Sequence, residues 1–160
     1  MKFGAVLEEL HRSESALYAE LLQLSQRYLA EHEVHYVARD LSQWSRDHVA
    51  RLADVAVDYG QTLDSEISDP RASKHAREES HRAAFGVDNP SGLALLWDLR
   101  SIYMAAGGVS MQWTMLSQGA QAAHKADLLT VIETCQPQTM RQMSWAQAQI
   151  KSLSAQIVVS

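Results

Sequence analysis

At 160 residues the chain is one ordinary domain, large enough for a proper core and too short for two comfortable ones. Its 46% hydrophobic and 21% charged residues are those of a soluble globular protein, and the formal charge of −5 argues against a nucleic-acid surface, because the only basic cluster, Arg71 to Arg82, is diluted by Glu78 and Glu79. A single cysteine, Cys135, excludes an internal disulfide and a thiolate metal cluster, and at helical spacing it is expected to be a small buried hydrophobe.

Lys2 is followed by an apolar run that Glu8 and Glu9 cut short, too short for a signal peptide. The apolar stretch Leu93 to Leu116 is interrupted by Asp98, Arg100 and Gln112, which favours a buried helix over a membrane-spanning one. The expected compartment is the cytoplasm, without a membrane partner.

The first helix is predicted over about 3–29. Positions 3, 7, 10, 14, 17, 21, 24 and 28 read Phe, Leu, Leu, Glu, Leu, Leu, Leu, Tyr, alternately four and three apart, as in the seam of a packed helix. Glu14 alone breaks that seam, and a carboxylate facing a core is costly unless something there meets its charge. A short polar break, Ala30 to Glu33, reverses the chain into an antiparallel neighbour. His32 and His35 beside it are expected to be solvated.

The second helix spans about 33–60 and ends at Gly60. Its seam at 34, 38, 41, 45, 48, 52, 55 and 59 carries Ser45 and His48 as polar insertions. Glu14 and His48 lie about equally far from a turn near residue 31, so they should meet across the hairpin. Residues 61–91 form a long polar connection, with a helix-start signal at Asp69-Pro70 and a stop at Gly86. A connection of that length sets the third helix parallel to the second. The Glu-x-x-His spacings at Glu8–His11 and Glu78–His81 are expected on solvated helix surface.

Asn89-Pro90-Ser91 starts the third helix, with a seam of Leu95, Leu99, Ile102, Ala106, Val109, Trp113, Leu116 and Ala120. It is apolar beyond that stripe, and Ala105-Ala106-Gly107-Gly108 thins its middle so that a neighbour can approach. Gly119 allows a turn into a second hairpin, and Pro137 is expected to kink or restart the last helix, which continues to about Ile157. Trp145, Ile150 and Leu153 echo Trp44, Val49 and Leu52, which places Ala146 and Gln149 opposite Ser45 and His48 in a faint internal repeat.

Two helical hairpins joined by one long crossover, with Ser13-Glu14-Ser15-Ala16-Leu17-Tyr18 in the first helix and Ser45-Arg46-Asp47-His48-Val49-Ala50-Arg51-Leu52 in the second, resemble the ferritin-like four-helix bundle over nearly the whole chain. The resemblance implies an all-α fold of one domain, 1–160, with a crossover at about 61–91. Members that bind two metal ions use a Glu from each of two helices and a Glu-x-x-His from each of the others. On that pattern Glu14 matches the first-helix Glu and His48 the second-helix His, while Ser45 stands in place of the bridging Glu. The third helix offers no central carboxylate and the fourth no Glu-x-x-His.

These residues predict a non-catalytic binding or interaction protein with a vestigial metal site and no cofactor. The expected partners are a second copy, through the wide apolar surface of the third helix, and a small apolar ligand. Glu14, His48, Ser45, Tyr18, Trp44 and Trp113 are the candidate ligand-binding residues. The alternatives are an oxidoreductase or single-metal enzyme in which Glu14 and His48 act as acid and base or hold one iron, manganese or zinc ion, and a buried charge-assisted hydrogen bond with no further role.

Overall fold

A computed structural model describes residues 1–67, 72–86 and 91–160, with the backbone alone at 72–76 and 91. Among the described residues all regular structure is helical. In chain order the elements are α1 (Phe3–Arg27), α2 (His32–Ala56), a 3-10 turn (Val57–Tyr59), α3 (Ala72–Phe85), α4 (Ser91–Ala122) and α5 (Ala126–Val159). No described helix is long and apolar enough to cross a membrane.

Each of the four long helices packs against two others: α1 on α2 and α4, and α5 on α2 and α4. Cross-helix contacts fix the directions. Residue 25 meets 35, 14 meets 48 and 3 meets 59, so α1 and α2 are antiparallel. Gln138 and Gln142 reach His48 and Ser45, Gln136 reaches Thr114, and Tyr28 reaches Asp98, which makes the α2–α5, α4–α5 and α1–α4 pairs antiparallel too. It follows that α2 and α4 run parallel, and the chain between them carries α3 back along the array.

The four-three spacing is what buries each face. Six seam positions of α1, from Leu7 to Leu24, are buried, with Phe3 and Tyr28 half-buried at the ends, and all eight seam residues of α4 are buried. Each Leu so placed contributes roughly 1.5–3 kcal/mol relative to exposure. In α2 the seam drifts after Leu52, where Ala56 is buried and Val55 half-buried, as the helix tightens into its 3-10 turn. Gly60 then closes the end with φ +79, a left-handed conformation that glycine adopts without strain. Gly86 does the same after α3, at φ +76.

Several expectations are corrected. Gly119 makes no turn: α4 runs through it to Ala122, and the reversal falls at Ala123–Lys125 with His124 at φ 55. The glycine instead makes room for Phe3, whose ring would lie 3.2 Å from an added Cβ. Gly107 and Gly108, expected to admit a close neighbour, differ: among the described residues Met143 Sδ would lie 3.5 Å from a Cβ added at Gly107, and nothing would lie within 4 Å of one at Gly108. Pro137 lies inside a continuous α5, since the one amide it lacks is outweighed by packing on both flanks. The start signals Asp69-Pro70 and Asn89-Pro90 lie outside the described residues.

Candidate functional site

The seams converge on a buried polar cluster midway along α1, α2 and α5. Glu14 and His48 are both 0% exposed, and His48 Nδ1 hydrogen-bonds Glu14 Oε2. The other ring nitrogen, Nε2, donates to Gln138 Oε1 at 2.7 Å. Nε2 therefore carries a proton, and with Glu14 ionised Nδ1 carries a second, which is the imidazolium form. Burial works against that charge, but Cys135 and Glu14 outweigh it and push His48 up to about 10. Burial also raises Glu14 above its ordinary range, against the opposing pull of His48. One proton is shared between His48 Nδ1 and Glu14 Oε2, and the raised His48 favours its place on the ring, as an ion pair. The rings of His48 and Trp113 stand nearly perpendicular, centres 6.1 Å apart at 86°.

Of the remaining candidates, Ser45 is buried but bonds elsewhere: Gln142 Nε2 donates to Ser45 Oγ at 2.9 Å and to the Leu41 carbonyl at 2.8 Å. Trp44 is half-buried at the edge of the core. Tyr18 is half-buried and joins no hydrogen bond of the cluster. Cys135, Ala146 and Gln149 face inward, so the register of the internal repeat matches the fold. Gln149, however, bonds Glu33 at 2.8 Å near the far end, and the antiparallel packing brings Gln138 to His48 instead. Gln138 and Gln142 were not legible as site residues; the signal that marks Gln142 is the spacing 128, 132, 135, 139, 142, 146, 149, every position of which is buried.

The cluster does not fit a metal. Both ring nitrogens of His48 are committed to hydrogen bonds, and of its α5 neighbours Gln138 is an amide, a weak donor, which leaves Cys135 as the one further strong ligand. Glu14 Oε1 is buried without a partner, yet one carboxylate oxygen is not a coordination sphere. Among the described residues no three His, Cys, Asp or Glu side chains are gathered to hold an ion.

A second polar cluster joins α1, α3 and α4. Asp98, 5% exposed, accepts from Tyr28 Oη at 2.7 Å, His81 Nε2 at 2.8 Å and Arg77, whose Nε and Nη2 both lie 3.0 Å from carboxylate oxygens. Arg27 Nη1 stands 3.7 Å away. His81 therefore corrects the expectation for the Glu78–His81 spacing: Glu78 is exposed, while His81 is buried against Asp98. The other spacing, Glu8–His11, holds the connection down, with His11 bonded to the Asp64 carbonyl at 2.7 Å. His32 is exposed, but His35 is half-buried and exchanges hydrogen bonds with Ser25 that fasten the α1–α2 turn.

Comparison with protein-family models, with curated proteins and with solved structures found no match.

Proposed function

We propose that this chain is a non-catalytic, cytoplasmic protein of the ferritin-like four-helix-bundle type, with a vestigial metal site, that acts by protein interaction and pairs with a second copy of itself through α4. The bundle reading is supported by the two antiparallel hairpins, the parallel α2 and α4, and the meeting of Glu14 with His48 where such proteins hold metal. Catalysis is disfavoured because both residues are wholly buried and both ring nitrogens of His48 are engaged.

The observation that carries the interaction reading is the outer face of α4. Met104, Met111 and Met115 are 56–59% exposed, Gly108 lies open between them, and the helix bears no charged residue from Ser101 to its end. The spacing 104, 108, 111, 115 repeats the four-three pattern of the buried seams, so this face has the form of a second seam. Among the described residues α3 meets α4 around Trp97 and Asp98, a turn or more before Met104. Methionine adapts its shape to a partner surface, and a glycine lets two helices approach closely.

Light scattering at micromolar concentration should return twice 17.8 kDa. Met111→Glu should return the single-chain mass with helical content unchanged. A wild-type mass of 17.8 kDa would overturn the pairing. A small apolar ligand would fit a crevice of about 340 Å³ bounded by Phe3, Val6, Met115, Leu116 and Gly119, which shares Met115 with the pairing face. Protein grown with added iron and manganese should retain no metal pair after dialysis; two ions per chain would overturn the vestigial reading.

A further inference from the structure

Beneath α3 a cavity of about 220 Å³ opens between α1 and α4. Glu20 and Arg27 line it from one face of α1, seven residues and so about 10 Å apart along the axis. Asp98 contributes from α4, and Arg77, Ser80 and His81 from α3. The carboxylate of Asp98 is already committed to Tyr28, Arg77 and His81. The guanidinium of Arg27 is less engaged: it gives one hydrogen bond to Gln23 Oε1 at 2.9 Å and forms only a longer ion pair with Asp98, at 3.7 Å. Burial, and then the neighbouring charge of Arg77, lower the pKa of Arg27, which is the condition an added anion relieves. The Ser80 hydroxyl accepts from Trp97 Nε1 at 2.8 Å and keeps its own proton to donate. Glu20 is half-buried and makes no hydrogen bond among the described residues, while burial and then Asp98 raise it to about 7.

We propose that this cavity binds a small carboxylate anion, seated on Arg27 with hydrogen bonds from Ser80 and from the carboxyl of Glu20. The charges favour a single carboxylate. With Glu20 protonated, Arg27 and Arg77 outweigh Asp98 by one, which balances one carboxylate and falls short of a doubly charged phosphate. The space equals that of roughly seven waters, enough for an acid of a few carbons. The site lies apart from the methionine face of α4, and it stands whether or not the chain pairs there.

Glu20 also sets a pH dependence. It faces Arg27 on its own helix, Asp98 from α4 and Arg77 and His81 from α3, and once ionised it repels a bound carboxylate. Affinity should therefore follow the protonated fraction of Glu20 and fall about tenfold between roughly pH 6 and pH 8.

The test is a titration of the full chain with propionate, which stays anionic over that range, followed by amide chemical shifts; inorganic phosphate and propylamine are run beside it. Saturable shifts with propionate around residues 77–81 and 98, tighter at the lower pH, are expected. Arg27→Ala should weaken binding at least tenfold, and Glu20→Gln should keep binding while removing its pH dependence; helical content measured alongside separates lost binding from lost folding. No saturation at tens of millimolar propionate, phosphate binding as tightly, propylamine binding instead, or Arg27→Ala without effect would each overturn the assignment.

Discussion

Glu14 with His48 and Asp98 with His81 are the same two functional groups in different settings. The first pair is enclosed on every side, where α1, α2 and α5 meet and Trp113 closes over the ring. The second sits beside a cavity, and its arginines are about a quarter exposed. A charge in the closed site has one partner and nowhere else to go; a charge in the open site can exchange its partner for water. The difference teaches that burial of the alternatives, more than the number of hydrogen bonds, decides what a pair is worth.

The largest effect should come from breaking the closed pair. His48→Leu leaves Glu14 buried without its cation and should cost on the order of 3 kcal/mol in urea unfolding, while Glu14→Leu with His48→Leu should recover most of that loss. Additive losses in this cycle would show that the pair is not a unit. An alkaline loss of the same order should follow, since deprotonating His48 strands Glu14 in the same way. The folded imidazole titrates at about 10 against 6.5 when unfolded, so its contribution is complete below pH 6.5 and disappears as the pH rises through 10. Glu14, raised by burial above 4.5, drifts in the same direction, because unfolding at higher pH lets it ionise freely. Unfolding free energies measured across that range should fall for the wild type and lose most of that slope in the double variant.

Asp98→Asn should cost less, about 1–2 kcal/mol, because Arg27 and Arg77 can turn to solvent. Its clearest sign should be faster hydrogen exchange in α3, whose attachment runs through Arg77 and His81. A cost above that of His48→Leu would reverse the comparison. The smallest effect, within about 0.5 kcal/mol, belongs to Tyr18→Phe, because that hydroxyl joins neither cluster.

How legible each region was follows from the same contrast. The closed pair could be read because each member interrupts a periodic apolar seam, and periodicity fixes both the facing side and, through the hairpin, the partner. Gln138 and Gln142 escaped because α5 is lined by Thr139, Gln142 and Gln149, so its buried face does not look hydrophobic, and Pro137 disguised its continuity. Asp98 is one position off the α4 seam, where a charge is ordinarily solvated. Tyr28 and Arg27 at the end of α1 and the docking of α3 bury it together, and no repeat in a polar crossover specifies where α3 docks. His81 was misread for the same reason, as one more polar residue on a short helix.

The antiparallel arrangement places the start of α1 beside Tyr59 and Gly119, while the end of α5 lies beside Gly92. Phe3 and Val159 are therefore separated by the height of the array, about 37 Å for a helix as long as α1. A peptide joining them would need on the order of eleven residues even when fully extended. Circular permutants with short linkers should be unable to close. A cut in the crossover instead leaves two helical hairpins, each with its own antiparallel partner, so the chain is better suited to fragment complementation than to permutation.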